Sequence, residues 1–249
     1  MTEPWPWASH FVAHGLYFAT ATCGLPPRAT SGAMDTVMAD WRRGRIDATE
    51  FDAVIAHARE RYAGLVGVAP STVAVGHQVS PLVALVAGSL ADGSRVLTAS
   101  GEFTSLTFPF AAQEHRGITV AEVPLKGLAD AIDDSTDLVA VSAVQSANGA
   151  IADLESIADA ADRHGAHVLV DLTQAAGWLL VDAARFAYTV CGAYKWLLSP
   201  RGTAFLTVRA DLLDRVVPAQ AGWYAGEQPW ESIYGLPLRL AGDARRLDV

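Results

Sequence analysis

The chain has 249 residues, of which 51% are hydrophobic and 18% are charged. This composition excludes disorder over most of the length and suits one large domain, or one and a half, with a substantial core. The formal net charge of −9, without a run of Lys or Arg, argues against nucleic acid and anionic membrane as partners.

The N-terminus and the cysteines predict a cytoplasmic protein without a membrane partner. Residues 1–15 contain an acidic residue and prolines but no basic start before an apolar run, so no secretory signal is predicted. Every apolar stretch is interrupted well short of a membrane span. Two cysteines, Cys23 and Cys191, make no disulfide framework, which fits a reducing compartment.

Short apolar runs alternate with amphipathic ones along the chain, after an amphipathic helix predicted over 48–64. The pattern predicts seven strands over 72–75, 95–99, 119–123, 138–143, 167–172, 188–191 and 204–208. Further helices are predicted over 81–90, 105–115, 125–132 and 154–164. This alternation predicts an α/β domain with a mostly parallel sheet. The last two strands are separated by a short turn and are expected to be antiparallel or not adjacent.

Polar residues cluster where several predicted strands end. Such positions are His77 and Gln78, Glu102, the stretch 142–148 and the stretch 171–174. Because ligands of open α/β sheets bind outside the carboxyl ends of the strands, a site is expected there.

The stretch 168–202 is apolar, yet it contains Asp171, Gln174 and Lys195. A buried aspartate is unfavourable unless it meets a cation or several donors, and the alternative is that Asp171 caps the short turn after it. Lys195 lies between Tyr194 and Trp196, where desolvation makes an amine a nucleophile for carbonyls. The alternative is an exposed loop lysine.

The order D-L-T-Q, strand, A-Y-K-W-L-L-S-P-R-G over 171–202 resembles the signature of the class V aminotransferase-like family. These are pyridoxal 5′-phosphate (PLP) enzymes of fold type I, with cysteine desulfurases, kynureninases and isopenicillin N epimerase-like enzymes among them. The resemblance begins at residue 17. It implies the fold type I large domain, a seven-stranded, mostly parallel mixed sheet with helices on both faces.

The resemblance implies a role for each polar residue of this stretch. Lys195 would form the internal aldimine with the cofactor, and Asp171 would face the pyridine nitrogen. Gln174 would contact the phenolic oxygen of the ring or the aldimine region. Phe103 would stack on the ring, with a core position as the alternative. Tyr194 occupies the position before the lysine, often histidine in relatives, and is also assigned to the cofactor site.

The phosphate of the cofactor requires backbone donors at a helix start. His77, Gln78 and Val79 would present them, with Ser80 predicted as the N-cap and Pro81 in the first turn. The alternative is a simple capped helix. In the loop at 142–153, the resemblance places Ser146 beside the ring, and Asn148 is the alternative.

The sequence departs from the family pattern in places. Gly192 stands three residues before the lysine, where relatives often have a hydroxyl side chain. The chain ends at Val249, where the family continues into a small C-terminal domain, so that domain is expected to be missing. The expected division is an N-terminal segment 1–30, a PLP-binding large domain 31–220 and the start of a truncated C-terminal region 221–249.

The resemblance therefore predicts a PLP enzyme that acts on an amino acid or amine, with an aminotransferase-like reaction favoured. The alternatives are a C–S lyase or epimerase, and a truncated binding protein without turnover. Neither Cys23 nor Cys191 matches the catalytic cysteine of desulfurases. A homodimer is expected from the family. The pair His164 and His167 spans a helix end and a strand start without a third ligand, so no metal is predicted.

Overall fold

A computed structural model describes residues 6–13 and 15–248. Residues 1–5, His14 and Val249 lie outside the described residues. The predicted N-terminal segment 1–30 and the stretch 1–15, for which no secretory signal was predicted, fall partly on them. The α-helices of the described residues are Arg28–Arg42 (α1), Glu50–Val66 (α2), Val79–Ser89 (α3), Thr104–Ala111 (α4) and Leu154–His164 (α5). The strands are Val73–Gly76 (β1), Arg95–Ala99 (β2), Thr119–Val123 (β3), Leu138–Ser142 (β4), His167–Asp171 (β5), Tyr188–Gly192 (β6) and Ala204–Val208 (β7).

The strands form one seven-stranded sheet in the order β1-β7-β6-β5-β4-β2-β3. Strand β7 is antiparallel to both of its neighbours, and the other pairs are parallel. The prediction of a mostly parallel mixed sheet is confirmed, as is the antiparallel arrangement of the last two strands. Strands β4, β6 and β7 are buried at every position, which explains why they lack polar alternation.

Helices cover both faces of the sheet, as predicted. On one face, α2 contributes Tyr62 and Val66, and α5 contributes Ile157 and Ala161, to a core shared with alternate strand residues. On the other face, α3 and α4 pack in a second core around Leu82, Val86, Leu106 and Phe110. The two cores hold the sheet from both sides, so its carboxyl edge has a rigid support.

Two helix predictions were wrong in part, and one helix was missed. The stretch 125–132 forms only a 3₁₀ turn, Leu125–Gly127, and Gly127 has low helix propensity. Helix α4 ends at Ala111 rather than at 115. Helix α1, which has no buried residue, was not predicted.

The predicted N-cap at Ser80 was also wrong. Helix α3 begins at Val79, with Gln78 in extended conformation as the N-cap and no side-chain capping bond. The helix therefore begins two residues earlier than the predicted start at 81. This brings the free N–H groups of the first turn closer to the end of β1.

The segment after β7 contains 3₁₀ turns and returns to the edge of the sheet. Asp248 forms a buried ion pair with Arg59 (2.6 Å) and accepts a hydrogen bond from the Val75 N–H (2.8 Å). The last described residues are thus tied to edge strand β1. Within 6–13 and 15–248, no helix has the length and apolarity that crossing a bilayer requires.

Candidate active site

One cavity of about 310 Å³ lies at the carboxyl edge of the sheet. Its volume is at the lower end of the range typical of small-molecule sites. The structure brings all nine residues that the sequence assigned to a site to this cavity: His77, Gln78, Val79, Phe103, Ser146, Asp171, Gln174, Tyr194 and Lys195. The roles assigned to them stay predictions, but their convergence follows from the strand order.

Lys195 is buried, with 6% of its surface exposed, so the alternative of an exposed loop lysine is wrong. Its Nζ lies 5.4 Å from the centroid of the Phe103 ring and 5.9 Å from that of the Tyr194 ring. No hydrogen bond to this amine occurs among the described residues. Burial lowers the pKa of Lys195, and the charge of Arg201 lowers it further, while Asp171 acts in the opposite direction. The amine is therefore easier to deprotonate than a surface lysine.

Asp171 ends strand β5 and is also buried. Its Oδ1 accepts a hydrogen bond from the Thr173 N–H (2.7 Å), so it does cap the following turn. Its second oxygen has no hydrogen-bond partner in the described part of the chain. Burial raises the pKa of Asp171 to about 6; the charge of Glu102 adds to this, and the bonds from Thr173 oppose it. A buried carboxylate with one donor is suited to a cationic ligand.

Gln174 organises the cavity wall. Its Nε2 donates to the Ala21 carbonyl (3.0 Å) and to Ser146 Oγ (3.3 Å), and its Oε1 accepts from Trp196 Nε1 (2.9 Å). It joins the N-terminal segment, the loop after β4 and the segment of Lys195. A direct contact between Gln174 and a ligand would require it to exchange one of these partners.

Phe103 and Ser146 face the cavity. The side chain of Phe103 is 44% exposed, so the alternative of a core position is wrong. Ser146 lines the cavity, whereas the side chain of its alternative, Asn148, accepts a hydrogen bond from the Ala150 N–H (2.9 Å) in its own turn. The structure thus separates the two alternatives for this loop.

Glu102 supports the cavity wall from behind, and no role for it was predicted. It is buried, and its two oxygens accept hydrogen bonds from the Phe103 N–H, the Ser142 N–H, Ser142 Oγ and Gln145 Nε2 at 2.6–2.8 Å. Four donors satisfy this carboxylate without a cation. It fixes the backbone under Phe103 against the end of β4. A polar residue at a strand end was the only sequence signal for it.

The cavity is also lined by residues to which no cofactor contact was assigned, namely Ser80, Ser105, Ser142, Thr173, Gly192, Arg201, Gly202 and Thr203. Thr173 Oγ1 accepts a hydrogen bond from the Gly192 N–H (2.9 Å), which joins the ends of β5 and β6. The described residues contain no group of three or more His, Cys, Asp or Glu that could hold a metal ion. His164 instead pairs with Asp134, at 2.6 Å.

Comparison with known proteins identifies the family. The model of the class-V aminotransferase family matches residues 18–229. An uncharacterized aminotransferase of Bacillus subtilis, YcbU, is 31% identical over 213 residues, 80% of this chain and 55% of that protein. The isopenicillin N epimerase of Amycolatopsis lactamdurans is 29% identical, over 81% of this chain and 56% of the relative. A probable cysteine desulfurase of Methanothermobacter thermautotrophicus is 28% identical, over 66% and 44%.

Solved structures share the fold. The cystine C–S lyase C-DES, in complex with its product cysteine persulfide, has a TM-score of 0.82 at 23% identity, over 93% of this chain and 66% of that chain. A C-DES mutant with glycine covalently linked to its PLP cofactor gives 0.83 at 23% identity, over 94% and 66%. The chain spans about half the length of the curated relatives it matches. The expected fold type I large domain is confirmed, and the chain belongs to the class-V aminotransferase family.

Proposed function

We propose that this family member binds PLP in the cavity at the sheet edge and uses it to transform an amino acid or amine in an aminotransferase-like reaction. The observation that carries the proposal is the pair of buried groups facing this cavity, the Lys195 amine and the Asp171 carboxylate. In the described residues the amine has no hydrogen-bond partner and the carboxylate has one. A ligand with an aldehyde and a basic ring nitrogen satisfies both groups, so the residues present fit this cofactor.

The bound cofactor supplies an aldehyde for covalent attachment and a ring that withdraws electrons from the α-carbon of the substrate. Lys195 provides the nucleophile for that aldehyde. Because burial lowers the pKa of Lys195, more of the amine is neutral at pH 7, and the neutral amine is the form that attacks carbonyls. Once free, the same Nζ can accept a proton from the α-carbon and return one.

Asp171 would hold a proton on the ring nitrogen. A protonated ring nitrogen is a cation, and it would neutralise a carboxylate that is otherwise buried with one donor. Glu102 is unsuited to this task, because four protein donors already occupy its oxygens. The two acidic residues would therefore have different roles: Glu102 stabilises the backbone next to the cavity, and Asp171 would bind the ring nitrogen of the ligand.

The remaining residues would hold the ring and its phosphate. The N–H groups of His77, Gln78 and Val79, at the start of the 11-residue helix α3, would bind the phosphate. Phe103 would cover one face of the cofactor ring. Its half-exposed side chain at the cavity supports this role. Gln174, Ser146 and Tyr194 would complete the wall.

The choice of reaction rests on the names of the relatives, which include aminotransferases, epimerases and desulfurases. These reactions share the removal of a proton or group from the α-carbon, so the site supports a C–S lyase or an epimerase as the second candidate. The comparisons lend no support to the alternative of a binding protein without turnover.

We also propose a cytoplasmic homodimer, and the division into an N-terminal segment 1–30, a large domain 31–220 and a C-terminal region from 221 onward. The support is the family itself and the aromatic groups left on the surface after β7, such as Tyr234 at 91% exposed. Light scattering of the purified chain checks the dimer.

Covalent labelling of lysine by PLP tests the proposal, because the chain has two lysines, Lys126 and Lys195, and an adduct on one is easily told from an adduct on the other. The full chain is incubated with PLP, reduced with borohydride, digested and mapped by mass spectrometry. A pyridoxyl adduct is expected on Lys195. Lys126 is exposed within the 3₁₀ turn Leu125–Gly127 and serves as the internal control. Labelling of Lys126 alone, or of neither residue, contradicts the proposal.

A second experiment distinguishes the reactions. The PLP-loaded chain is incubated with a panel of amino acids and a 2-oxo acid acceptor. Transfer of the amino group to the acceptor supports the aminotransferase-like reaction. Release of ammonia with sulfide indicates a C–S lyase, and loss of optical purity indicates an epimerase. Lys195→Ala should keep the circular dichroism spectrum of the fold and lose all three products.

A further inference from the structure

Arg201 lies where the strand order places the phosphate end of the cavity. Strand β7 is inserted between β1 and β6, and Ala204 is paired with both Gly76 and Gly192. The turn that precedes Ala204, with Arg201 at its start, therefore lies between the loop that enters α3 and the end of β6. Asp171 ends the next strand along, β5. In this strand order, β6 lies between the turn of Arg201 and the end of β5, so Arg201 is separated from the carboxylate of Asp171, which would face the ring nitrogen.

Tyr194 fills the space beside Gly192. A Cβ atom at Gly192 would lie 3.2 Å from Tyr194 Cε1 and 3.4 Å from Val79 Cγ2. The Tyr194 ring thus packs close to the first residue of α3. The Tyr194 ring also lies next to the space that a hydroxyl side chain at position 192, common in relatives, would enter.

The guanidinium of Arg201 is held on that ring. Its Cζ lies 4.6 Å from the ring centroid of Tyr194, a distance at which a planar cation stacks and keeps its N–H edges free. No carboxylate pairs with Arg201 in the described residues, unlike Arg209, which contacts Asp211 at 2.7 Å. Arg201 lines the cavity together with the buried amine of Lys195, which has no partner of its own there.

A phosphate bound at the start of α3 would lack a cation from its own loop, since residues 76–81 contain no Lys or Arg. We propose that Arg201, positioned by the ring of Tyr194, is the cationic contact of the cofactor phosphate. The inference rests on the proposed function and adds to it a role for Arg201, a residue of the stretch 171–202 to which the resemblance assigned none. Guanidinium and phosphate form charge-assisted, bidentate hydrogen bonds, which are stronger than those from neutral donors.

The test compares PLP with pyridoxal, which lacks the phosphate. The dissociation constants of both are measured by fluorescence titration of the cofactor-free full chain and of Arg201→Met. We expect Arg201→Met to weaken PLP binding about 10- to 100-fold, as for the loss of a charged hydrogen bond, and to change pyridoxal binding less than about twofold. Arg209→Met removes an arginine at the opposite end of β7 and should change neither constant. Arg201→Lys should restore part of the loss.

Each other outcome overturns the inference. Equal PLP binding by the wild type and Arg201→Met, with a raised KM for the amino acid, would assign Arg201 to the substrate carboxylate. Equal weakening of PLP and pyridoxal would mean that Arg201 supports the wall and not the phosphate. If the wild type binds neither compound, the proposed function fails as well. If the wild type binds both PLP and pyridoxal, the proposed function stands, and the comparison with Arg201→Met then tests the role of Arg201 alone.

Discussion

Asp171→Asn removes a buried charge and keeps the shape of the side chain, so it isolates the electrostatics of the site. Burial raises the pKa of Asp171 from its ordinary value of 3.8 to about 6. Two units correspond to about 3 kcal/mol at 1.4 kcal/mol per unit. Because the folded state binds this proton more readily than the unfolded chain, stability should fall as pH rises from about 4 to about 6 and stay reduced above it.

The cofactor-free variant is therefore expected to be more stable than the wild type at pH 8, by up to about 3 kcal/mol, and equal to it near pH 4. The hydrogen bond from the Thr173 N–H survives, since the asparagine oxygen accepts it. Urea unfolding at several pH values measures the difference. In the presence of PLP the order should reverse, because the asparagine cannot neutralise a protonated ring nitrogen.

Asp153→Asn is the matched control. Asp153 caps α5, and hydrogen bonds from Ser156 lower its pKa, so its removal should destabilise the fold at neutral pH. If Asp171→Asn behaves like this control, with a loss of stability at pH 8 and no change between pH 4 and pH 6, burial does not raise the pKa of Asp171 as stated. Asp171 would then be solvated or fully paired, and its proposed role would lose its basis.

Two further substitutions test the frame of the site. Glu102→Gln should destabilise the fold by about 1–3 kcal/mol, because an amide cannot accept all four bonds, and it should move the pKa of Asp171 downward by removing a nearby negative charge. Urea unfolding between pH 4 and 8 reports both effects; an unchanged transition would contradict them. Gly24→Ala would place a Cβ 2.2 Å from the Lys195 carbonyl oxygen, so it should loosen the N-terminal segment and weaken PLP binding. Gly32→Ala has no atom within 4 Å and should be neutral or stabilising, which makes it the control for Gly24→Ala.

The sheet was predictable because most of its strands are buried on both faces. Residues 138–142 and 204–208 form continuous apolar runs bounded by polar or turn residues, and this pattern has few other structural solutions. The helix predicted over 125–132 was wrong: its apolar residues have helical spacing, but Gly127 lowers the helix propensity of its first turn. Helix α1, which has no buried residue, was missed.

The candidate site was predictable where its residues match segments of the family. Asp171, Gln174 and Lys195 fall within the stretch that resembles the family signature, and the resemblance assigned them to one site. The partners of Gln174 were not accessible in this way, because its contact with Ala21 joins residues 153 positions apart. The contact between Glu102 and Ser142 depends on β2 lying beside β4, and the place of Arg201 depends on β7 entering between β1 and β6. Strand order is a property of the whole fold, so local sequence does not show it.

The most direct test of the account is a crystal structure of the PLP-loaded chain after borohydride reduction. We expect the ring to be bonded covalently to Lys195 Nζ, with the carboxylate of Asp171 hydrogen-bonded to the ring nitrogen. A ring attached elsewhere, or one whose nitrogen faces away from Asp171, would contradict it.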